Sequence, residues 1–128
     1  MSEPVCVADF ERLAEARVPE NVWCYFAGGA GDEVTLRANV AAYSRWRFRP
    51  RMLVDVSAVA LETTLLGTPV SMPLGIAPFA MQRLIAAEGE CETARAAAAA
   101  GALFVVSTLT TSTHAEIAAA SSGPRWLQ

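Results

Sequence analysis

The sequence has one histidine, His114, and only three cysteines, Cys6, Cys24 and Cys91. The cysteines are odd in number and widely spaced, with no CxxC and no Cys/His pattern among them. That spacing excludes a disulfide framework and a structural zinc site, and the three read as buried free thiols in a reducing compartment. No P-loop, GxSxG elbow or HExxH helix is present. The glycine cluster Gly28-Gly29-Ala30-Gly31 neither follows a strand nor fits GxGxxG, so it fails as a dinucleotide fingerprint on both counts. The start, Met1-Ser2-Glu3-Pro4, has no basic flank leading into an apolar run and does not read as a secretory signal. No apolar stretch approaches the roughly 20 residues that cross a bilayer, and the alanine run 96–100 is far too short. Excess positive charge is missing as well. Ten basic residues against thirteen acidic give a net charge of −3 and a pI near 5.1, which argues against a general affinity for nucleic acid or anionic membrane. The expectation is a soluble, cytoplasmic protein.

What is present is ample core material: 53% hydrophobic and 18% charged residues in 128, the size of one ordinary domain. Residues 8–17 carry Phe10, Leu13 and Ala14 at helical spacing, with Asp9 near the start. Pro19 opens a second helix bearing Val22, Trp23, Tyr25 and Phe26, and Gly28-Gly29 stops it. A third helix is expected from Asp32, as N-cap, through Arg45, with Val34, Leu36, Val40 and Tyr43 available to pack. From Arg45 the period becomes two: Arg45, Arg47, Arg49 and Arg51 alternate with Trp46, Phe48 and Pro50. This predicts an extended segment with a solvated basic face. Residues 62–66 and 69–72, hinged on Gly67, predict a small hairpin.

After the hairpin the pattern repeats. Residues 74–77 form an apolar strand, 88–100 a helix, and 103–107 a second strand. Thr113 and Glu116 form a capping box that opens a helix through Ala120, and 125–128 begin a third strand. Strands apolar throughout and alternating with helices predict a parallel sheet buried on both faces. Periodicity alone leaves a doubly wound sheet and a barrel equally open. In an α/β barrel the chemistry sits at the C-terminal strand ends. Here those ends are Ala77-Pro78-Phe79-Ala80, Ser107-Thr108-Leu109-Thr110-Thr111 and Gln128. Such neutral hydroxyls, an amide and bare backbone suit the edges of a planar heterocycle. They would equally suit packing at a barrel rim. His114, at the start of the capping-box helix, reads as an ordinary exposed imidazole.

Three ordered segments carry a family resemblance. VPENVWCYFAGGAGDEVTLRANVAAYSRWRFRPRMLVDVS (18–57), SMPLGIAPFAMQRL (71–84) and EGECETARAAAAAGALFVVSTLTTSTHAEIA (88–118) span nearly the whole chain. They resemble the N-terminal third of the FMN-dependent α-hydroxy-acid oxidases and dehydrogenases, the glycolate oxidase, lactate oxidase and mandelate dehydrogenase family. The resemblance implies an α/β fold in which residues 1–72 are an N-terminal helical segment and hairpin. Residues 73–128 would then be the first strands and helices of a (β/α)8 TIM barrel, incomplete in this chain. It implies FMN as cofactor, a small-molecule 2-hydroxy acid as substrate, and oxygen or an electron-transfer partner as acceptor. It also implies a homo-oligomer for the full-length family, with no nucleic acid and no membrane among the partners.

The resemblance puts Tyr25 on the tyrosine that binds the substrate carboxylate. The bland alternative is a core aromatic beside Trp23 and Phe26. It puts Pro78, Phe79 and Ala80 on the loop whose backbone lies against the flavin ring. Ser107 falls on the serine that contacts FMN, and Gln128 on the glutamine at the flavin's pyrimidine edge. Departures are Cys24 for the usual aspartate, the bulky Phe79 in the flavin loop, Ala86-Ala87 for the usual His-Pro, and Leu109 for the substrate-pocket tryptophan. The last leaves glycolate unsupported as the substrate. The family's catalytic histidine, flavin lysine and substrate arginines fall beyond residue 128, and His114 does not match that histidine. The 128 residues alone are therefore expected to be inactive. Two other readings stand beside this one. One is a truncated, catalytically inactive fragment or interaction piece. The other is a different FMN barrel enzyme, such as a type 2 isomerase of isoprenoid metabolism.

Overall fold

The computed structural model describes residues 3–128. Met1 and Ser2, the start of the segment read above for a secretory signal, lie outside the described residues. The chain forms two compact units, residues 1–55 and 56–128.

The first unit holds α1 (Val7–Glu15), α2 (Glu20–Ala27) and α3 (Val34–Ala42), the last running into a 3-10 turn at Tyr43–Arg45. Each start and stop has a local cause. The Asp9 carboxylate accepts the backbone N–H of Val5 (2.9 Å) and of Cys6 (3.2 Å), satisfying donors that the first turn of α1 leaves unpaired. Pro19 stands at the N-cap of α2, and Gly28 ends that helix in extended backbone. The third helix departs from expectation: its N-cap is Glu33 and not Asp32. Glu33 takes a left-handed φ of +57°. Its N–H donates to the Ala30 carbonyl (3.0 Å) while its carboxylate accepts the Gly29 N–H (3.1 Å). That turn consumes the residue that would otherwise have been helical. Residues 46–51 belong to no helix or strand and are exposed, and Trp46 has extended backbone. None of the described residues up to 55 is buried, so Val34, Leu36, Val40 and Tyr43 have no core within this unit.

The second unit opens with a hairpin, β1 (Thr63–Leu65) and β2 (Thr68–Val70), antiparallel with Leu65 opposite Thr68. Both turn residues, Leu66 (φ +45°) and Gly67 (φ +82°), lie in the left-handed region, the requirement of a two-residue turn matched to strand twist. The hairpin is hydrogen-bonded into the rest of its unit. Ser71 N–H donates to the Gly101 carbonyl (2.8 Å), and the Trp126 indole N–H donates to Thr68 Oγ1 (2.9 Å).

The sheet that follows is parallel, in the order β3 (Gly75–Ile76), β4 (Leu103–Val106), β5 (Arg125–Leu127). The helices α4 (Gly89–Ala99) and α5 (His114–Ala120) connect successive strands. Strand β3 is shorter than residues 74–77, because only Gly75 and Ile76 face partners on β4. The core is built on β4. Phe104 and Val106 pack with Cys91, Ala94 and Ala97 of α4 and Ile117 of α5, flanked by Ile76 and Ala120. Alanine on the inward face of α4 lets the helix approach the strand closely, and the capping box holds the start of α5. Glu116 N–H donates to Thr113 Oγ1 (3.2 Å), and the Glu116 carboxylate accepts Thr113 N–H (2.6 Å). Of the three thiols, only Cys91 is buried. Cys6 and Cys24 are exposed, because the helices that carry them have no covering layer within their unit. Among the described residues no helix is long and apolar enough to cross a membrane.

Candidate functional site

Register decides which residues meet. Ile76 pairs with Phe104, Phe104 with Arg125, and Val106 with Leu127. The residues leaving the C-terminal ends of the three strands are therefore Ala77 to Ala80, Ser107 onward, and Gln128, all on one edge of the sheet. Gln128 continues the ladder, its N–H donating to the Val106 carbonyl (3.0 Å).

Two of the predicted residues touch. The Ser107 hydroxyl, 6% exposed, donates to Gln128 Oε1 (3.3 Å), and that oxygen also accepts the Thr108 N–H (3.2 Å). Ser107 Oγ in turn accepts the Leu109 N–H (3.2 Å). Both donors converge on the amide oxygen, so Gln128 Nε2 points elsewhere, with no hydrogen-bond partner among the described residues. The amide is thereby oriented with its two N–H groups available to an external acceptor.

The third strand end is a turn. Pro78 is exposed, Phe79 is 38% exposed and Ala80 is half-buried. The Phe79 carbonyl accepts Gln82 Nε2 (3.1 Å), and Met81 N–H donates to the Leu109 carbonyl (3.0 Å), tying this turn to the one after β4. Tyr25 lies in the first unit, on α2. It is 55% exposed and in edge-to-face contact with Phe26 at 5.0 Å. His114 is exposed at the first position of α5.

Sequence reasoning missed Glu90. It is completely buried, at 0% exposure, and it gathers donors from two loops. Oε1 accepts Gln82 N–H (3.2 Å), Thr111 N–H (2.9 Å) and Thr111 Oγ1 (3.0 Å). Oε2 accepts Thr111 Oγ1 (2.9 Å), Ser112 N–H (3.1 Å) and Ser112 Oγ (2.9 Å). Burial pushes its pKa up. The Thr111 and Ser112 hydrogen bonds and the backbone at the start of α4 together outweigh that and hold it at about 2. Its only sequence signal was an acidic residue at a helix start, which is usually an exposed dipole partner. Gly89 beside it has φ +49°, and a Cβ there would stand 3.1 Å from the Arg83 backbone nitrogen, so that close approach needs glycine.

Comparison with known proteins identifies the family. Residues 14–128 match the family model described as FMN-dependent dehydrogenase. The chain belongs to that family. It is 45% identical over 122 residues to glycolate oxidase 3 of Oryza sativa subsp. indica, covering 95% of this chain and 33% of the relative. To the L-lactate oxidase of Nostoc sp. it is 46% identical over 122 residues, with the same coverage. Among solved structures it is similar to a soluble mutant of the membrane-associated (S)-mandelate dehydrogenase of Pseudomonas putida. That match has a TM-score of 0.88 and 38% identity, over 95% of this chain and 35% of the other. The chain thus spans about a third of the length of these relatives.

The family's cofactor is FMN, and the residues present fit it. A flavin has a polar pyrimidine edge bearing carbonyl acceptors and a flat face that backbone can lie against. The oriented N–H pair of Gln128 answers the first and the turn 78–80 the second.

Proposed function

We propose that this chain forms the N-terminal part of an enzyme that oxidises an (S)-2-hydroxy acid to the 2-oxo acid, with FMN as the redox group. In this reading residues 1–72 supply a substrate contact, and 73–128 are the first strands and helices of a (β/α)8 barrel. The observation that supports it most is the Ser107–Gln128 pair. A buried hydroxyl and a backbone N–H fix the amide oxygen, leaving the amide N–H groups without a protein acceptor at the C-terminal edge of a parallel sheet.

When bound, FMN accepts the two electrons released as the hydroxyl carbon becomes a carbonyl, and oxygen or an electron-transfer protein takes them on. Everything else is the work of side chains and backbone. Gln128 Nε2 would donate to a carbonyl on the flavin's pyrimidine edge and so help hold the ring. Ser107 holds that amide in orientation. The backbone of Pro78, Phe79 and Ala80 would lie against the ring and help exclude water from it. The Tyr25 hydroxyl would donate to the substrate carboxylate. His114, exposed at the start of α5, takes no part. An acidic composition and free thiols support a cytoplasmic location.

The test uses the gene product as its gene encodes it. Purified protein should be yellow with a flavin absorption spectrum, and a panel of (S)-2-hydroxy acids should bleach it anaerobically. A colourless protein that takes up no FMN defeats the reading. FMN uptake without bleaching by any 2-hydroxy acid favours a different FMN enzyme.

A further inference from the structure

We infer that Glu90 is a positioning residue whose buried carboxylate sets the spacing between the turn 78–80 and the strand end 107–109. This rests on the functional reading above for its consequence, though not for its geometry. The six donor contacts on Glu90 come from the 3-10 turn after β3, at Gln82, and from the loop after β4, at Thr111 and Ser112. Glu90 itself is anchored in α4, whose buried face packs against β4. One side chain on a rigid helix therefore grips both loops that flank the candidate flavin face.

The grip is transmitted to the residues that matter. Gln82 passes it to Phe79: its Nε2 donates to the Phe79 carbonyl, and its Oε1 accepts the Thr93 hydroxyl of α4 (2.6 Å). Thr111 passes it back across, its Oγ1 accepting the Arg83 N–H (3.1 Å). The Met81–Leu109 backbone hydrogen bond closes the loop-to-loop connection.

Ionisation is what this geometry requires. None of the donors is cationic, and the arginines near these loops pair elsewhere, Arg83 with Glu116 (3.6 Å) and Arg95 with Glu88 (3.1 Å). A buried charge without a cation is an expensive way to stabilise a fold, and an apolar filler would serve packing better. A carboxylate does one thing that neutral isosteres cannot. Both of its oxygens accept, each from an N–H and a hydroxyl. A glutamine there would aim an N–H at the N–H of either Thr111 and Gln82 or Ser112, and one loop would have to move away.

The test is Glu90→Gln, with Ser112→Ala as a second variant that keeps the charge and removes one donor. The first measurement is of backbone amide shifts and hydrogen exchange in the 128-residue chain. Positioning predicts that amides at 79–83 and 107–112 shift and exchange at least tenfold faster, while those of Ala94, Ala97 and Phe104 hold. Ser112→Ala should give the same pattern, confined to 107–112. Unchanged loops overturn the proposal, and so does a uniform change across the core, which is the mark of a purely structural role. If Glu90→Gln does not fold, the Ser112→Ala pattern decides alone. The second measurement is FMN affinity and the visible flavin spectrum of the gene product, where Glu90→Gln should weaken FMN at least tenfold and alter the spectrum. Wild-type protein that takes up no FMN defeats the functional reading, and the amide pattern still decides on Glu90. Wild-type uptake with equal affinity and an identical spectrum in the variant removes Glu90 from the site.

Discussion

The carboxylate of Glu90 should make the stability of the second unit acid-sensitive in a narrow window. Its pKa falls from an ordinary 4.5 in the unfolded chain to about 2 in the fold. Every tenfold change in proton affinity is worth roughly 1.4 kcal/mol, so the ionised form contributes about 3 kcal/mol through linkage. The sign follows from the direction. A depressed carboxylate pKa gives stability that is complete above about pH 5. It is lost progressively as pH falls from about 4.5 to about 2, and changes no further below that. Asp9 and Glu116 also lie below their ordinary values, but they are held mainly by the Val5 and Thr113 N–H groups, neither of which touches Glu90. The assay is urea unfolding followed by Trp126 fluorescence at several pH values between 5 and 2, with and without Glu90→Gln, in a background carrying Trp23→Phe and Trp46→Phe so that Trp126 is the one tryptophan left. The variant begins less stable, since a buried donor left unpaired costs about 1–3 kcal/mol. Its curve should then be flatter by about 3 kcal/mol over the window. Slopes that agree within about 0.5 kcal/mol, the ordinary scatter of such differences, would refute an ionised, neutral-donor-held carboxylate.

Tyr25→Phe in the gene product should raise KM with a loss of about 1–2 kcal/mol, the scale of one hydrogen bond to a charged group, and leave flavin content unchanged; identical kinetic constants would return Tyr25 to a packing role. Phe79→Thr should keep FMN affinity within about tenfold, roughly 1.4 kcal/mol, while altering substrate preference or oxygen reactivity. Complete loss of FMN would show that the turn 78–80 is misassigned. Gly101→Ala should lower thermal stability by more than about 1 kcal/mol, since φ is +64° and a Cβ would stand 2.6 Å from Ser71 Cβ; an unchanged melting temperature would contradict that crowding. Thr113→Ala should cost about 1 kcal/mol through loss of the cap on α5, read by the same melting assay.

The elements most legible in the sequence are those whose signals are local. The Thr113–Glu116 capping box, the hairpin about Gly67 and the apolar run 103–107 each name a conformation within a few residues, and all three elements are present, the strands ending at Leu65 and Val106 and the second hairpin strand running over 68–70. Boundaries set by distant partners were less legible. Strand β3 is two residues long because β4 offers it only two partners. The third helix starts late because Glu33 is drawn into a turn by Ala30 and Gly29. Helical spacing in α1 to α3 likewise shows which side chains could share a face without showing what covers that face.

The candidate site divides along the same line. Ser107 and Gln128 could be placed at strand ends from pattern, because a parallel strand has a defined exit. Their contact needed the register of β4 against β5, which no periodicity encodes. Glu90 lay further out of reach. Its donors are 8, 21 and 22 residues away along the chain, and the donor residues are a glutamine, a threonine and a serine, which in sequence resemble any polar loop. Only folding turns a surface-type residue at a helix start into a buried charge. The donors bind it tightly enough to overcome desolvation because two of them, Thr111 and Ser112, each offer both a hydroxyl and a backbone N–H. A sequence with Thr-Ser in the loop after a second strand and Glu near the start of the preceding helix therefore carries a usable signal. Five neutral donor groups, the Gln82 N–H and the hydroxyl and N–H of both Thr111 and Ser112, converge on one carboxylate, and no cation is needed to hold the loops together.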